Sequence, residues 1–134
     1  MINNLQAPLT FKNGSILKNR FMLAPLTNEQ SNEDGTLSED EFHWLTMRAK
    51  GGFGLVMTCA SHVQEVGKGF SGQLGIFSEG HKEGHQKLAA ALKSYGSLAV
   101  IQLHHAGMRS PQEVIHQKAV CPSDSEKHNS RALT

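Results

Sequence analysis

The sequence predicts an α/β fold built on parallel β-strands. Three apolar runs, at residues 21–27, 53–60 and 98–103, are separated by segments whose apolar residues have helical spacing. Apolar runs without alternation are typical of strands that are buried on both faces, as parallel strands are. The order is strand, helix, strand, helix, strand, which is the pattern of consecutive βα units. Because crossover connections are right-handed, we expect adjacent strands with both helices on one side of the sheet.

A β-hairpin is predicted before the first of these strands. Residues 9–11 and 15–17 are short apolar segments on either side of Asn13-Gly14. Asn-Gly between two such segments is a strong hairpin pattern, because both residues tolerate a positive φ. We expect this hairpin to lie at one end of the structure that the later strands form.

The first strand, residues 21–27, is expected to end with a polar residue at the edge of the sheet. Pro25 lacks a backbone N–H, so it fits only where the strand ends. Thr27 is the first polar side chain after the apolar run. Folds with parallel strands build their ligand sites at the carboxyl ends of the strands. Thr27 is therefore a candidate ligand contact, and the alternative is an ordinary strand-end hydroxyl.

Two helices are predicted between the strands. Ser38 and Glu41 have the spacing of a capping box, and Gly51-Gly52 ends the helix that follows. The apolar face of this helix comprises Phe42, Leu45 and Ala49. The second helix is predicted over residues 79–95, and Gly96 ends it. Its apolar face comprises Leu88, Leu92 and Tyr95.

The loop before the second helix has two alternative interpretations. It is punctuated by four glycines, namely Gly67, Gly69, Gly72 and Gly75. Such a loop can hold a phosphate, although the spacing matches neither a P-loop nor a dinucleotide fingerprint.

His81 and His85 have the i, i+4 spacing that can bind zinc. Because no third ligand is near in sequence, a solvated helix face is the favoured interpretation of this pair.

Composition argues against several classes of partner. The formal net charge of +1 gives no electrostatic reason to expect nucleic acid or an anionic membrane. The apolar runs are far shorter than the roughly 20 residues of a membrane span, and the N-terminus lacks a signal-peptide pattern. Cys59 and Cys121 stand alone, so neither a disulfide framework nor a zinc site is indicated. We expect a cytoplasmic protein with no metal.

The end of the sequence predicts an incomplete sheet. Residues 108–134 contain Pro111 and Pro122 and show no convincing periodicity. Three parallel strands with nothing after them would leave two open edges. Residues 1–134 are therefore expected to be one partial domain, the beginning of something larger.

Four sequence blocks point to a family. They are NRFMLAPLT at residues 19–27, RAKGGFGL at 48–55, GQLGI at 72–76 and QLHHAG at 102–107. In this order and at this spacing they resemble the N-terminal third of the old yellow enzyme family. The resemblance implies a (β/α)8 TIM barrel, of which this chain supplies about three βα units preceded by a β-hairpin.

The resemblance also implies an activity. Members of the family bind FMN, take hydride from NADH or NADPH and pass it to an electron-poor alkene or another small-molecule electron acceptor. This chain would then be the flavin-contacting N-terminal segment of such an FMN-dependent oxidoreductase. The alternative is a truncated, non-catalytic chain that pairs its exposed strands with another chain or self-associates as a homo-oligomer.

Cofactor contacts follow from the resemblance at five positions. Pro25 and Leu26 would pack on the isoalloxazine ring, and the hydroxyl of Thr27 would hydrogen-bond to its O4 edge. Ala60 matches the small residue that lets the ring approach the second strand. Gln102 matches the amide that reaches the pyrimidine edge, where a donor and an acceptor are both needed.

The sequence also departs from the family pattern. Met108 stands where the family usually has Arg, and Cys59 stands where it often has Glu. The pair that holds the acceptor carbonyl and the groups that grip the FMN phosphate belong to later strands of the family. No catalytic residue is therefore assigned within this chain, and His104 and His105 are interpreted as structural or wall residues.

Overall fold

The computed structural model describes residues 4–133. Its first two strands form the predicted β-hairpin. Strands β1 (Leu9–Thr10) and β2 (Ile16–Leu17) pair antiparallel. Gly14 takes a φ of 84°, and the Asn13 side chain accepts a hydrogen bond from the backbone N–H of Ser15. The hairpin prediction is therefore confirmed, with Gly14 alone supplying the positive φ.

A three-stranded parallel sheet follows the hairpin. Its strands are β3 (Met22–Leu23), β4 (Leu55–His62) and β5 (Leu98–His104), in the spatial order β3-β4-β5. Both pairings are parallel, so the carboxyl ends of the three strands lie at the same edge of the sheet. This confirms the predicted order and direction of the strands.

Two helices cover one face of this sheet. Helix α1 spans Glu39–Lys50 and helix α2 spans Lys82–Ser94, after a short 3-10 turn at Glu79–His81. The core cluster joins both helices to β4 and consists of Leu45, Ala49, Val56, Leu88 and Leu92. Leu23 of β3 and Ala99 of β5 pack against it, which places both helices on the same side of the sheet as expected.

The start of α1 is only half of the predicted capping box. The Ser38 hydroxyl accepts a hydrogen bond from the Glu41 N–H at 3.1 Å, as the pattern requires. The Glu41 side chain does not return to the Ser38 backbone, because it is fully buried and bonds to the hydroxyl of Ser31. At the other end of α1, Gly52 has a φ of 109°, which few other residues adopt, and so the helix stops there.

The prediction of a buried strand over residues 21–27 is wrong in length and in burial. Only Met22 and Leu23 pair with β4, and Met22 is 52% exposed. Pro25 ends the ladder early because it has no N–H to donate. Of the two paired residues, only Leu23 packs against the core cluster, and Met22 on the other face of β3 is left uncovered.

Strand β5 and the end of α2 also differ from the prediction. Residues 98–103 were expected to be buried, yet Leu103 is 65% exposed and Ile101 is 37% exposed. Ile101 and Leu103 lie on the same face of β5 as Ala99, and among the described residues the core cluster reaches this face only at Ala99, which explains the exposure. Tyr95 is 42% exposed rather than part of the apolar face, because it lies at the cap of α2 beyond the last helical residue.

The segment after residue 108 contains regular elements, although its sequence shows no convincing periodicity. It contains helix α3 (Gln112–Ile115) and the parallel strands β6 (Ala119–Cys121) and β7 (Ser130–Ala132). A second core cluster forms around them from Val66, Ile115, Ala119 and Val120. Elements of three or four residues show no period in sequence, so tertiary packing rather than local propensity specifies them.

Neither a membrane helix nor a metal cluster occurs in the part of the chain that the structure describes. None of its helices combines the length and the apolarity needed to cross a bilayer. Its His, Cys, Asp and Glu side chains form no group of three or more that could hold a metal ion.

Leu45→Ala should strongly destabilise this fold, because the side chain is 0% exposed in the core shared by α1, β4 and α2. The expected loss is about 2–5 kcal/mol of the free energy of unfolding, measured by urea titration. Met47→Ala on the same helix is the matched control, since Met47 is 44% exposed. The control should change stability by less than about 0.5 kcal/mol. Equal losses for both variants would contradict this description of the core.

Candidate functional site

The carboxyl edge of the sheet brings together three of the predicted contact positions. Ala60 and Gln102 are direct partners in the β4–β5 register. Cys59, which precedes Ala60 in β4, contacts the backbone at Leu26 and Asn28, on either side of Thr27. Thr27 therefore lies beside the part of β4 that carries Ala60. We call Thr27, Ala60 and Gln102, with Pro25 and Leu26, the rim.

A β-bulge lies immediately before the rim. Met57 pairs with Val100, but the next pair is Ala60 with Gln102, so β4 contains one extra residue. Bulges bend a strand and re-aim its side chains, and they are frequent next to active sites. Here the bulge sets the direction from which Ala60 and Gln102 face the edge of the sheet.

The rim offers free polar groups beside apolar surface. The side chains of Thr27 and Leu26 are exposed, while Pro25 and Gln102 are half-buried. Within residues 4–133, neither the Thr27 hydroxyl nor the Gln102 carboxamide makes a side-chain hydrogen bond. Ala60 adds only a methyl group at this edge. A planar heteroaromatic ring with polar edges fits this combination of small, apolar and hydrogen-bonding groups.

Cys59 lies beneath the loop that carries Thr27. Its thiol contacts the backbone at Leu26 and Asn28, on either side of Thr27. Burial, followed by the carboxylate of Glu41, raises the pKa of Cys59 to about 12, whereas the two backbone contacts act in the opposite direction. The thiol is therefore protonated at neutral pH and serves as a packing and hydrogen-bonding group rather than as a nucleophile.

The first turn of α1 holds the same loop in place. The Ser38 hydroxyl donates to the carbonyl of Gln30 at 2.5 Å, and the Glu41 carboxylate accepts from the hydroxyl of Ser31. The other carboxylate oxygen of Glu41 is buried and has no hydrogen-bond partner among residues 4–133. Helix α1 thus fixes the backbone that leads away from Thr27.

The histidines near α2 are structural rather than solvated. His81 is only 5% exposed, which contradicts the predicted solvated face, because it packs against Phe77 at the start of α2. Its Nε2 lies 3.1 Å from the carbonyl of Asp34, and the Nε2 of His85 lies 2.8 Å from the carbonyl of Gly75. Both rings therefore connect the start of α2 to the loops that contain Asp34 and Gly75.

The glycine-rich loop packs closely against the loop that carries Thr27. Gly72 has a φ of 65°, and a Cβ at this position would lie 2.4 Å from the carbonyl oxygen of Glu29. The Ser31 N–H donates to the Gly72 carbonyl at 3.0 Å. Only glycine lets the two backbones approach this closely. Packing therefore explains why residue 72 is glycine, and no phosphate site is needed to explain it.

Sequence reasoning missed a buried polar cluster behind the rim. Gln73, Thr58 and His62 are at most 2% exposed, and the first two bond to rim residues. Burial lowers the pKa of His62, and the nearby charges of Lys68, His81 and His104 act in the same direction. The GQLGI block contains Gln73, but it served only as evidence of the family resemblance, and no sequence pattern indicated that Gln73 is buried.

A surface cleft elsewhere in the structure is not part of the rim. It is lined by Gln6, Asn19, Phe21, Gly51, Gly52 and Phe53. These residues precede β3 and β4, so the cleft lies at the amino end of the sheet. Ligand sites of parallel sheets form at the opposite edge, and we place the candidate site there.

The sequence profile of the NADH:flavin oxidoreductase / NADH oxidase family matches residues 4–133. The chain belongs to this family. A probable NADH-dependent flavin oxidoreductase of Bacillus subtilis, YqiG, is 42% identical over 131 residues, covering 95% of this chain and 35% of that protein. An NADPH dehydrogenase of Bacillus pumilus is 39% identical over 111 residues, covering 82% of this chain and 32% of that protein.

Solved structures of the family share the fold. The old yellow enzyme homologue from Zymomonas mobilis superposes with a TM-score of 0.82 at 30% identity, covering 91% of this chain and 34% of that one. A 2-naphthoyl-CoA reductase superposes with a TM-score of 0.87 at 28% identity, covering 100% of this chain and 23% of that one. The chain is therefore an α/β partial TIM barrel, as the family resemblance implied.

The chain spans about a third of the length of these two curated relatives. Members of the family use FMN as flavin and NADH or NADPH as hydride donor. The rim described above lies within the matched residues, at the carboxyl edge where barrel enzymes build their sites.

Cys59→Ser should change how stability depends on alkaline pH. The pKa of Cys59 is raised from 9.0 to about 12 in the folded chain, so the unfolded thiol ionises first. The stabilising contribution of the protonated thiol is complete below pH 9 and is lost as the pH rises towards 12. Serine does not titrate there, so the stability of wild type should fall relative to Cys59→Ser across this window. Parallel curves in urea titrations at pH 8 to 11 would contradict the assigned environment of the thiol.

Proposed function

We propose that this chain is the flavin-contacting N-terminal part of an FMN-dependent oxidoreductase. The enzyme takes hydride from NADH or NADPH and passes it to a small-molecule acceptor, with an electron-poor alkene as the acceptor class. The observation that carries the proposal is the common rim, where Ala60 and Gln102 are register partners and Thr27 lies beside Cys59, the residue before Ala60.

Each rim residue has a role that its environment supports. FMN, when bound, supplies the hydride chemistry, and this chain orients and tunes it. Pro25 and Leu26 present apolar surface to the ring, and Ala60 leaves room for it. The free hydroxyl of Thr27 donates to the O4 edge, and the free carboxamide of Gln102 supplies a donor and an acceptor to the pyrimidine edge.

The remaining parts of the site belong to other strands of the barrel. We propose that residues 1–134 form one partial domain, and that the phosphate grip and the groups that hold the acceptor lie outside it. A nicotinamide donor and two free, buried cysteines, Cys59 and Cys121, are consistent with a cytoplasmic location.

One observation favours a second candidate function. The outer strands β3 and β5 carry exposed apolar side chains, with Met22 at 52% and Leu103 at 65% exposure. An exposed apolar edge strand is a template for pairing with another chain. A non-catalytic chain that self-associates through these edges would account for the same surface.

A single preparation separates the two functions. The native protein is purified from its source, its intact mass and flavin content are measured, and oxidation of NADH and NADPH is followed with an activated alkene. The proposal expects bound FMN and turnover that depends on it. A colourless, inactive protein that elutes as an oligomer would instead establish the second function.

Thr27→Ala should lower the reduction potential of FMN in the flavin-loaded protein. The hydroxyl is expected to hydrogen-bond to O4 more strongly when the flavin is reduced and electron-rich, so its loss makes reduction harder. A bond of about 1 kcal/mol corresponds to a two-electron shift on the order of 20 mV. Thr27→Ser keeps the hydroxyl and is the control. Equal potentials for wild type and Thr27→Ala in a spectroelectrochemical titration would show that Thr27 has no such role.

Residues 1–134 alone should bind FMN more weakly than micromolar and should not turn over NADPH. The chain offers hydrogen bonds at one side of the ring, and at about 1 kcal/mol each they fall well short of the free energy of micromolar binding. That free energy is about 8 kcal/mol. Fluorescence quenching of FMN and NADPH absorbance provide the measurements. Micromolar binding or sustained turnover by a verified monomer of this length would overturn the assignment of the phosphate grip to other strands.

A further inference from the structure

Two buried side chains, Thr58 and Gln73, bond to the Ala60–Gln102 pair beside the bulge of β4. Thr58 is 2% exposed and Gln73 is 1% exposed. Thr58 lies within the bulge, and Gln73 belongs to the glycine-rich loop that follows β4. Neither side chain faces the free side of the rim, so neither competes with a ligand there.

The Thr58 hydroxyl links the bulge of β4 to Gln102 of β5. Its oxygen accepts a hydrogen bond from the backbone N–H of Gln102 at 3.3 Å and donates to the carbonyl of Cys59 at 2.8 Å. The hydroxyl of Ser61 lies 3.4 Å from the same oxygen. A side-chain hydroxyl therefore fixes the position of Gln102 at the point where the register shifts.

The Gln73 carboxamide connects Ala60, the register partner of Gln102, to Gly69 of the glycine-rich loop and to His104. Its Oε1 accepts from the N–H of Gly69 at 2.7 Å, and its Nε2 donates to the carbonyl of Ala60 at 2.9 Å. Because a backbone N–H only donates and a carbonyl only accepts, these two partners fix which end of the amide is oxygen. The Nε2 also lies 3.0 Å from the Nδ1 of His104.

This geometry determines the tautomer of His104. An amide nitrogen can only donate, so the Nδ1 of His104 must accept, and the ring proton is carried on Nε2. Gln73 thus holds the backbone of Ala60 and the ring of His104 at the same time.

We propose that Thr58 and Gln73 are positioning residues for the Ala60–Gln102 pair, and that Gln73 fixes His104 as the Nε2–H tautomer. The effect on flavin rests on the function proposed above. The hydrogen-bond network itself does not, so the two can fail separately.

Hydrogen exchange of the Gln102 amide tests the role of Thr58 in the 134-residue chain. Thr58→Val keeps the shape of the side chain and removes its hydroxyl, so the Gln102 amide should exchange roughly fivefold faster, the change expected for one hydrogen bond. Thr58→Ser should restore the wild-type rate. Thr46→Val is the matched control, because the Thr46 hydroxyl bonds within α1 to the carbonyl of Phe42. An unchanged Gln102 rate in Thr58→Val would overturn this role.

Nitrogen-15 NMR of the histidine rings at pH 8 tests the role of Gln73. His104 should show a protonated Nε2 in wild type, and its resonances are assigned by their loss in His104→Gln. His62 is an internal reference, because its Nδ1 lies 3.0 Å from the carbonyl of Gln64 and must carry the proton. Gln73→Glu replaces the amide donor with an acceptor and should reverse the tautomer of His104, whereas the exposed Gln86→Glu should not. A wild-type His104 protonated on Nδ1 would overturn the proposal even if Gln73→Glu fails to fold.

The flavin-loaded native protein tests the consequence for the site. Thr58→Val and Gln73→Glu should each weaken FMN binding by roughly fivefold or more, as loss of one positioning bond allows. Thr58→Ser, Thr46→Val and Gln86→Glu should bind FMN as wild type does. Unchanged FMN affinity in Thr58→Val and Gln73→Glu would refute their positioning role. A native protein that binds no FMN would refute the proposed function, while the exchange and tautomer measurements would still decide the network.

Discussion

Strand β4 is the element on which the rest of the structure depends. It pairs in parallel with β3 on one side and β5 on the other, and Val56 anchors it in the core beneath α1 and α2. Because all three strands run in the same direction, their carboxyl ends meet at one edge, and the rim forms there. Loss of the central strand would separate Thr27 from Gln102 and remove the surface on which the helices pack.

The rim is supported by polar groups that are buried behind it. A buried polar group is costly unless it is hydrogen-bonded, so such networks fix one geometry rather than many. The hydroxyl of Thr58 and the carboxamide of Gln73 are satisfied by backbone groups of β4, β5 and the glycine-rich loop. The exposed side chain of Thr27 and the half-buried side chain of Gln102 make no side-chain hydrogen bonds among residues 4–133, as the proposed flavin contacts require.

The elements that the sequence predicted correctly combine a strong apolar pattern with packing partners for their apolar residues in the core cluster. Strand β4 and helices α1 and α2 belong to this group. The predicted burial of β3 and β5 was wrong, because among the described residues only Leu23 and Ala99 of these strands pack against the core cluster, which the apolar runs do not reveal. Gln73 is a buried polar residue in a loop, where no periodicity marks burial, and His81 is buried because its ring packs against Phe77, which the i, i+4 spacing does not reveal. The five rim residues came from the family resemblance, and their contacts with flavin stay predictions.

The proposed contact between the rim and flavin is tested most directly by the C4=O stretching vibration of FMN in the flavin-loaded protein. A hydrogen bond weakens a carbonyl bond and lowers its stretching frequency. If the Thr27 hydroxyl donates to O4, infrared difference spectra should show a higher frequency in Thr27→Ala than in wild type, with Thr27→Ser remaining close to wild type. The same frequency in all three proteins would contradict the account, because Thr27 would then not contact O4 of the flavin as we propose.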